Sequence, residues 1–316
     1  MRIAVIGAGI VGVTTAYELA AAGHEVSVFE RRGSVAAETS FANAGVVAPG
    51  YVTPWASPGM PWKVLRMLFA RHAPVRVRAS LDPALAAWLW RWWRACRSEA
   101  WQANRTRMQR LAVFSRHRLH ELTKALQLDY ERREGYLVLL RSEADLSAAH
   151  PGLKLLTELG NRFHLVDAAR CRELEPALNP DTPLHAGVHL PDDEVGNCRQ
   201  FAHLLRHEAQ KLGARWHFHT EVQRLVPGTQ PQLVHRYLPP PESTQLMIEP
   251  ATTRGADPVT EPAPLEPVTE SFDAVVVCAA MGSTALLKPL GIRLPLRAVH
   301  GYSITAPLRP DDSAAE

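Results

Sequence analysis

The first thirty residues constrain the fold of this chain more than any other part of its sequence. A short apolar run over residues 3–6 is typical of a buried parallel strand. Three glycines follow it at the spacing G-x-G-x-x-G: Gly7, Gly9 and Gly12. A helical segment and a second apolar run then lead to Glu30. This order of strand, glycine turn, helix, strand and acid predicts a dinucleotide-binding α/β unit.

The residues of this unit have expected roles in holding a dinucleotide. Gly7 allows the tight turn, Gly9 lets the backbone approach the pyrophosphate, and Gly12 lets the helix pack closely on the sheet. The first backbone N–H groups of the helix point toward the same pyrophosphate. Glu30 is expected to bond the ribose hydroxyls, and an acid at this position argues against a 2′-phosphate. FAD and NAD both remain possible as the cofactor.

The composition is that of a large globular chain. Its 316 residues are enough for two domains, and 46% of them are hydrophobic. The four cysteines lack the spacing of metal ligands, which predicts buried thiols in a reducing compartment and no metal site. The chain begins with a predicted strand and contains no run of eighteen apolar residues. We therefore expect no signal peptide, no membrane-spanning helix and a cytoplasmic location.

The charge is concentrated in residues 60–120. This segment contains 13 lysines and arginines, only two acidic residues and six of the eight tryptophans. Arginine interleaved with tryptophan is typical of a helix that lies on an anionic membrane surface. A second interpretation is a core helix that buries Trp88, Trp92 and Cys96 on one stripe and exposes its arginines. No nucleic-acid recognition motif accompanies the charge, so no nucleic-acid partner is expected.

Three later segments complete the pattern. Residues 191–198 are polar and are predicted to form a loop. Residues 227–271 are rich in proline and threonine, which predicts a flexible insertion that cannot bury enough apolar surface to fold. Residues 272–278 form an apolar run typical of a buried strand, and Ala279 and Gly282 follow it. A glycine after a strand end can bring bare backbone close to a neighbouring group.

These features together resemble a known family. The chain is similar to the small-subunit type of bacterial D-amino acid dehydrogenase, within the wider group of D-amino acid oxidase, glycine oxidase and sarcosine oxidase. The similarity covers nearly the whole chain apart from the proline-rich insertion. Four runs carry it: ETSFANAGVVAPGYVTPWASPG (38–59), PDDEVGNC (191–198), VVVCAAMGS (275–283) and VHGYSI (299–304).

The resemblance implies a non-covalently bound FAD, because no His or Cys stands at an obvious attachment point. The glycine turn would hold its pyrophosphate, and Glu30 its adenosine ribose. Further contacts would come from Ser40, Asn43, Ala44 and Gly45 along the phosphate, ribityl chain and flavin ring, from Val222 at the adenine, and from Ala279 and Gly282 opposite. Four neighbours of these positions complete the candidate set: Ile6, Ile10, Val11 and Arg31.

We therefore predict an α/β fold, with a Rossmann-like FAD-binding domain and a second α+β substrate domain. The FAD-binding domain would be discontinuous, over residues 1–50, 191–226 and 272–292. The substrate domain would use residues 51–190 and 293–316. Residues 227–271 would be the flexible insertion.

The implied activity is FAD-dependent oxidative deamination of D-amino acids by hydride transfer from Cα to flavin N5. A quinone or another compound would accept the electrons, and peripheral contact with the cytoplasmic face of the inner membrane would suit a quinone. Tyr302 is a candidate pocket residue for the substrate, and no catalytic base is identified. One alternative is an NAD-dependent Rossmann dehydrogenase. Another is an inactive flavoprotein fragment, because family members continue past residue 316 with a stretch that completes the flavin and substrate sites.

Overall fold

The fold is that of a computed structural model, which describes residues 1–68, 82–158, 160–239, 266–299 and 301. The described residues divide into two compact units. The first unit takes in those of Met1–Gly45, Leu128–Glu131 and Asn197–Ile304. The second takes in those of Val46–Gln127 and Arg132–Gly196.

The strands of the described residues number eleven. In chain order they are β1 (Arg2–Ile6), β2 (Glu25–Phe29), β3 (Val46–Val47), β4 (Arg133–Leu140), β5 (His164–Asp167), β6 (Ala186–Val195), β7 (Arg215–His217), β8 (Thr220–Val226), β9 (Gln232–Tyr237), β10 (Val268–Ser271) and β11 (Ala274–Val277).

The α-helices over the same ranges number eight. They are α1 (Ile10–Ala21), α2 (Met60–Leu68), α3 (Pro83–Ala95), α4 (Ser98–Leu126), α5 (Glu143–Glu158), α6 (Ala168–Leu174), α7 (Cys198–Lys211) and α8 (Gly282–Leu287). Side-chain caps define several starts: Asp82 accepts a hydrogen bond from the Ala84 N–H at the start of α3, and Asp167 does the same for Arg170 in α6. Within the described part of the chain, none of these helices is long and apolar enough to span a membrane.

A parallel sheet forms the centre of the first unit. Its strand order is β11-β1-β2-β7, and every pair in it is parallel. The apolar residues of β1 and β2 are almost fully buried, as expected for strands covered on both faces. The helices α1 and α7 pack against each other through their small and apolar residues. This arrangement confirms the predicted α/β dinucleotide-binding fold.

The predicted flexible insertion is wrong at both of its ends. Strands β9 and β10 pair with each other, and β9 pairs with β8, so that the three form an antiparallel sheet in the first unit. Leu233 in β9 is fully buried and packs in one cluster with Phe29 and Phe272. The prediction used the composition averaged over residues 227–271, which does not reveal the two short segments that form β9 and β10. The part of the insertion at residues 240–265 lies outside the described residues.

The second unit is built around the long strand β6. It pairs antiparallel with β4 along one edge and with β5 and β3 along the other. The predicted loop over residues 191–198 is therefore wrong for residues 191–195, which continue β6. The prediction failed because an Asp-Asp-Glu sequence is rarely buried in a strand, and here the partners of these acids come from distant parts of the chain.

The observed units also shift the predicted domain limits. Residues 46–50 and 191–196 belong to the second unit, because β3 pairs with the end of β6. Residues 128–131 join the first unit, where the Asn197 N–H donates to the Tyr130 carbonyl at 2.8 Å. The described residues of 227–271 and 293–301 also belong to the first unit.

Candidate functional site

A cavity of about 350 Å³ opens where three neighbouring parallel strands of the first unit end. Beta-strands β1, β2 and β11 lead directly into Gly7, Glu30 and Cys278, and all three residues line the cavity. Ligands of open α/β sheets bind at this carboxyl edge. The cavity volume lies within the usual range for small-molecule sites.

Nine of the predicted cofactor residues line this cavity: Ile6, Gly7, Gly9, Glu30, Arg31, Ser40, Val222, Ala279 and Gly282. They come from four separate parts of the chain, which the fold of the first unit brings together. Their assembly around one cavity supports a common role, and their contacts with a ligand stay a prediction.

The three positions of the turn differ in whether the surrounding protein requires a glycine there. Gly7 has φ of +98°, and a Cβ there would lie 2.6 Å from the Cys278 carbonyl oxygen. A Cβ at Gly12 would overlap the Gly7 carbonyl oxygen, so this glycine permits the close packing of α1 on the turn. A Cβ at Gly9 would meet only the Ser40 hydroxyl, at an ordinary 3.4 Å. The protein itself does not require a glycine at position 9, and the free space there faces the cavity.

Glu30 is held by backbone donors. Its Oε2 accepts a hydrogen bond from the Ala8 N–H at 2.7 Å, and its Oε1 accepts one from the Arg32 N–H at 2.8 Å. Ala8 stands between the first two glycines of the turn. The carboxylate therefore joins the ends of β1 and β2 at the cavity wall.

A segment that we call the strap, residues 34–45, runs along the cavity. The Ala36 N–H donates to the Ala8 carbonyl at 2.9 Å, and the Ile10 N–H donates to the Ser40 hydroxyl at 3.0 Å. Gly9 is the N-cap of α1 and has no side-chain oxygen, and Ser40 accepts from the N–H of the first helical residue, which has no partner within the helix. The strap thus places a hydroxyl at the N-terminus of α1.

The remaining strap candidates do not line the cavity. Asn43 accepts from the Gly45 N–H at 2.8 Å and donates to the Ser40 carbonyl at 3.2 Å, so that it shapes the strap. Ala44 lies between Asn43 and Gly45 in the sequence and does not line the cavity either. Three other predicted residues, Ile10, Val11 and Gly12, lie in the first turn of α1 outside the cavity lining. Tyr302 lies outside the described residues.

Two arginines and one acid form an ionic group at the cavity rim. The Oε1 atom of Glu38 lies 2.6 Å from a guanidinium nitrogen of Arg31 and 2.9 Å from Nε of Arg32. Burial raises the pKa of the Glu38 carboxyl, but the hydrogen bonds from both arginines outweigh it and hold this pKa below its usual range. Glu38 is therefore ionised at neutral pH and fixes the direction of Arg31.

Sequence reasoning missed several cavity residues: Phe29, Ala37, Glu38, Thr39, Thr220, Glu221, Gln223, Cys278, Ala280, Ala285 and Leu286. Glu38 and Thr39 stand in the run that carried the family resemblance, so that run could have identified them. Gln223 could not be found, because it occupies a β-bulge between Val222 and Arg224 that only the pairing of β8 with β9 reveals.

A second group of titratable residues lies in the second unit. Asp193 and Glu194 of β6 are almost fully buried, at 2% and 3% exposure. Asp193 accepts a hydrogen bond from the Gly50 N–H at 3.1 Å. Glu194 accepts one from Arg132 Nε at 2.5 Å, and His120 Nε2 lies 2.9 Å from the same carboxylate. Burial raises the pKa of the Asp193 carboxyl, although the Gly50 N–H and the Arg116 guanidinium act in the opposite direction.

The sequence matches the model of the family described as FAD dependent oxidoreductase over residues 2–316. It is 41% identical to D-amino acid dehydrogenase of Rhizorhabdus wittichii, over 98% of this chain and 68% of that protein. It is 39% identical to D-amino acid dehydrogenase of Vibrio cholerae, over 98% of this chain and 67% of that protein. The chain thus spans about two thirds of the length of these relatives.

Solved structures share the fold. Glycine oxidase of Geobacillus kaustophilus aligns with a TM-score of 0.56 at 19% identity, over 93% of this chain and 59% of that one. Glycine oxidase of Bacillus cereus aligns with a TM-score of 0.53 at 18% identity, over 91% and 57% of the two chains. At these identities the likeness concerns the fold alone.

The family match decides between the two cofactors that the glycine turn left open. The residues of the turn also suit a dinucleotide such as FAD, because Gly9 lines the cavity at the N-terminus of α1 and leaves space that a Cβ would enter. Backbone N–H groups at a helix N-terminus suit a pyrophosphate. The chain belongs to the family of FAD dependent oxidoreductases.

Proposed function

We propose that the cavity of the first unit binds FAD and that the protein is a D-amino acid dehydrogenase. One observation carries the placement of FAD: the predicted glycine turn, acid and strap hydroxyl line one cavity at the carboxyl edge of the parallel sheet. The substrate class comes from the names of the relatives at about 40% identity.

The residues of the cavity hold the cofactor at defined positions. The turn at Gly7 and Gly9, at the N-terminus of α1, would receive the pyrophosphate, and Ser40 would add a hydroxyl to it. Glu30 receives the ribose hydroxyls while the Ala8 and Arg32 N–H groups keep its carboxylate in place. Val222 and Gln223, at the bulge of β8, line the same cavity and would contact the adenine.

The reaction is an oxidative deamination. FAD held by the glycine turn, Glu30 and Ser40 would supply the two-electron oxidant that takes a hydride from Cα of the D-amino acid. The substrate amine loses one proton and becomes an imine, which water converts to a 2-oxo acid and ammonia. The protein contributes binding and orientation, which can supply a large part of the rate without a dedicated base.

The cofactor is held without a covalent bond. Cys278 is the one cysteine among the described cavity residues, and no histidine is among them. Burial raises the pKa of the Cys278 thiol, which disfavours the thiolate that attack on a flavin would need. Acid precipitation of the FAD-loaded protein should release all flavin into the supernatant, and flavin retained in the pellet would contradict this.

Turnover tests the proposed activity. The FAD-loaded protein is assayed with D-alanine and a dye acceptor, with L-alanine as the matched control. We expect dye reduction and ammonia release with the D-isomer alone. Reduction with NAD as the acceptor, or equal rates with both isomers, would contradict the proposal.

We also propose that helices α2 and α3 contact an anionic membrane surface, where a quinone would accept the electrons. Trp62 in α2 and Trp90 and Trp93 in α3 are 69%, 58% and 47% exposed. No described residue of α3 is buried: Trp88 and Trp92 are half-buried, and the buried Cys96 lies just after the helix. The exposed tryptophans support the membrane proposal, and α3 lacks the fully buried stripe of the second interpretation.

Vesicle binding tests the membrane contact. The protein should sediment with anionic vesicles at low salt, and the bound fraction should fall steeply as salt rises, because surface charge is screened. The Trp90→Ser variant, on the exposed face, should bind more weakly than the wild type. Equal binding to neutral vesicles, or no binding to either kind, would contradict the proposal.

A further inference from the structure

Helix α7 holds the strap from outside the cavity. The guanidinium carbon of Arg199 lies 4.3 Å from the centre of the Phe41 ring, within the range of a cation–π contact. Both residues belong to the first unit. Phe41 is 51% exposed, so that burial in the core contributes little to its position.

The backbone of Arg199 belongs to a helix that is anchored in the core. Asn197 caps α7 by accepting from the Gln200 N–H at 3.0 Å, and Phe201, Ala202 and Leu205 anchor the helix in the core. A residue in the first turn of such a helix loses less freedom on making a contact than one on a mobile loop. Arg199 is thus placed to restrain the strap rather than to follow it.

Phe41 is the neighbour of the strap hydroxyl that meets α1. Ser40 lines the cavity and accepts from the Ile10 N–H at 3.0 Å, one residue before the ring that Arg199 covers. The Phe41 N–H donates to the Glu38 carbonyl at 2.8 Å, which closes the turn between them. A displacement of the Phe41 backbone therefore moves Ser40, its neighbour in the chain, relative to the N-terminus of α1.

We propose that Arg199 is a positioning residue for the cofactor: through Phe41 it keeps Ser40 at the N-terminus of α1 and slows the release of FAD. The inference rests on the proposed placement of FAD in this cavity. The size of the effect follows from the contact itself, because an exposed cation–π pair changes an equilibrium by roughly twofold to fivefold.

The test measures FAD dissociation from the loaded protein, by dilution and recovery of flavin fluorescence. Arg199→Gln and Phe41→Leu are each expected to release FAD about twofold to fivefold faster than the wild type. The double variant should be no faster than either single one, because both remove the same contact. Phe41→Trp, which keeps an aromatic face, should stay near the wild-type rate.

Arg206→Gln is the matched control. Arg206 lies on the same helix and covers the rings of Trp216 and Phe218, at 5.9 and 5.2 Å, instead of the strap. It should leave the release rate unchanged. The melting temperature of each apo-protein, measured beside the rates, should not separate Arg199→Gln from Arg206→Gln.

Three results would overturn the inference. If Arg199→Gln releases FAD at the wild-type rate, the role of Arg199 is overturned, whereas the proposed FAD site is not affected. Additive effects of Arg199→Gln and Phe41→Leu would show that the two residues act separately. A wild-type protein that binds no FAD would overturn the proposed placement and this inference with it.

Discussion

The glycine turn of the first unit and the buried acids of the second unit are opposite ways to build a polar site. In the turn from Gly7 to Gly12 the polar groups are backbone N–H groups, and at Gly7 and Gly12 the close approach of chain segments depends on the missing side chains. Around Asp193 and Glu194 the polar groups are acidic side chains, almost fully buried and held by distant partners.

The two sites differ in the free-energy term that opposes their formation. A glycine turn costs conformational entropy but buries no charge. A buried carboxylate loses its hydration and is tolerated only with partners of opposite charge or hydrogen-bond donors. We therefore expect the first site to fail when volume is added and the second to fail when a partner is removed.

The largest effect is expected from added volume in the turn. Gly12→Val would place its Cβ much closer to the Gly7 carbonyl oxygen than van der Waals contact allows. It should destabilise the first unit by about 3 kcal/mol or more. Gly9→Ala, in the same turn, should leave the melting temperature within a few degrees because its Cβ has room. Similar losses for both variants in thermal unfolding would contradict the distinction between the glycines.

The next effect is expected from removing one partner of a buried acid. Arg132→Met should destabilise the protein by about 3 kcal/mol, because Glu194 stays buried with one cation fewer. The neighbouring exposed residue gives the control, and Arg133→Met should change stability by less than about 0.5 kcal/mol. Adding Glu194→Gln to Arg132→Met should restore part of the loss in urea unfolding, and no recovery would contradict the charge argument.

A smaller, pH-dependent effect is expected at Asp193. Its pKa is raised in the folded state, mainly by burial, so the folded protein binds more protons than the unfolded one between the ordinary and the raised value. Stability therefore falls as pH rises through that window and stays reduced above it. Asp193→Asn removes this loss and keeps an oxygen for the Gly50 N–H.

The measurement for Asp193 is urea unfolding of both proteins at several pH values. The stability of Asp193→Asn relative to the wild type should rise by roughly 1 kcal/mol as pH increases, the usual cost of an incompletely satisfied buried group. A difference that is constant over pH, or one that falls, would contradict the raised pKa.

The smallest effect is expected from the exposed ion pairs of the first unit. Glu38 pairs with Arg31 and Arg32, but its side chain is 45% exposed. Exposed pairs contribute at most about 1 kcal/mol, so Glu38→Gln should shift the melting temperature by only a few degrees. A loss as large as that of Arg132→Met would erase the contrast between the two units.

The same contrast explains what the sequence could predict. The turn from Gly7 to Gly12, the acid at Glu30 and the α/β fold were predictable because all their determinants lie within thirty residues. The burial of Asp193 and Glu194 was not, because their partners Gly50, Arg116, His120 and Arg132 are brought to β6 only by the tertiary fold.

Strand β9 gives the same lesson within the first unit. Its six residues follow a proline and lie in a segment whose composition favours disorder, yet Leu233 fills the core beside Phe29. The cavity contacts of Ser40, Val222 and Ala279 came from family resemblance rather than from residue patterns. Their positions depend on the strap and on the ends of β8 and β11, which no local pattern specifies.

The central claim is that the turn around Gly9 in the first unit is the FAD site, and an FAD titration of two proteins tests it most directly. Flavin fluorescence is followed as wild type and Gly9→Val are added, with the melting temperature of each apo-protein as the control for folding. We predict saturable binding to the wild type and an affinity at least about a hundredfold lower for Gly9→Val, whose side chain would enter the cavity. Equal binding by two folded proteins would contradict the claim, and so would a wild type that binds no FAD.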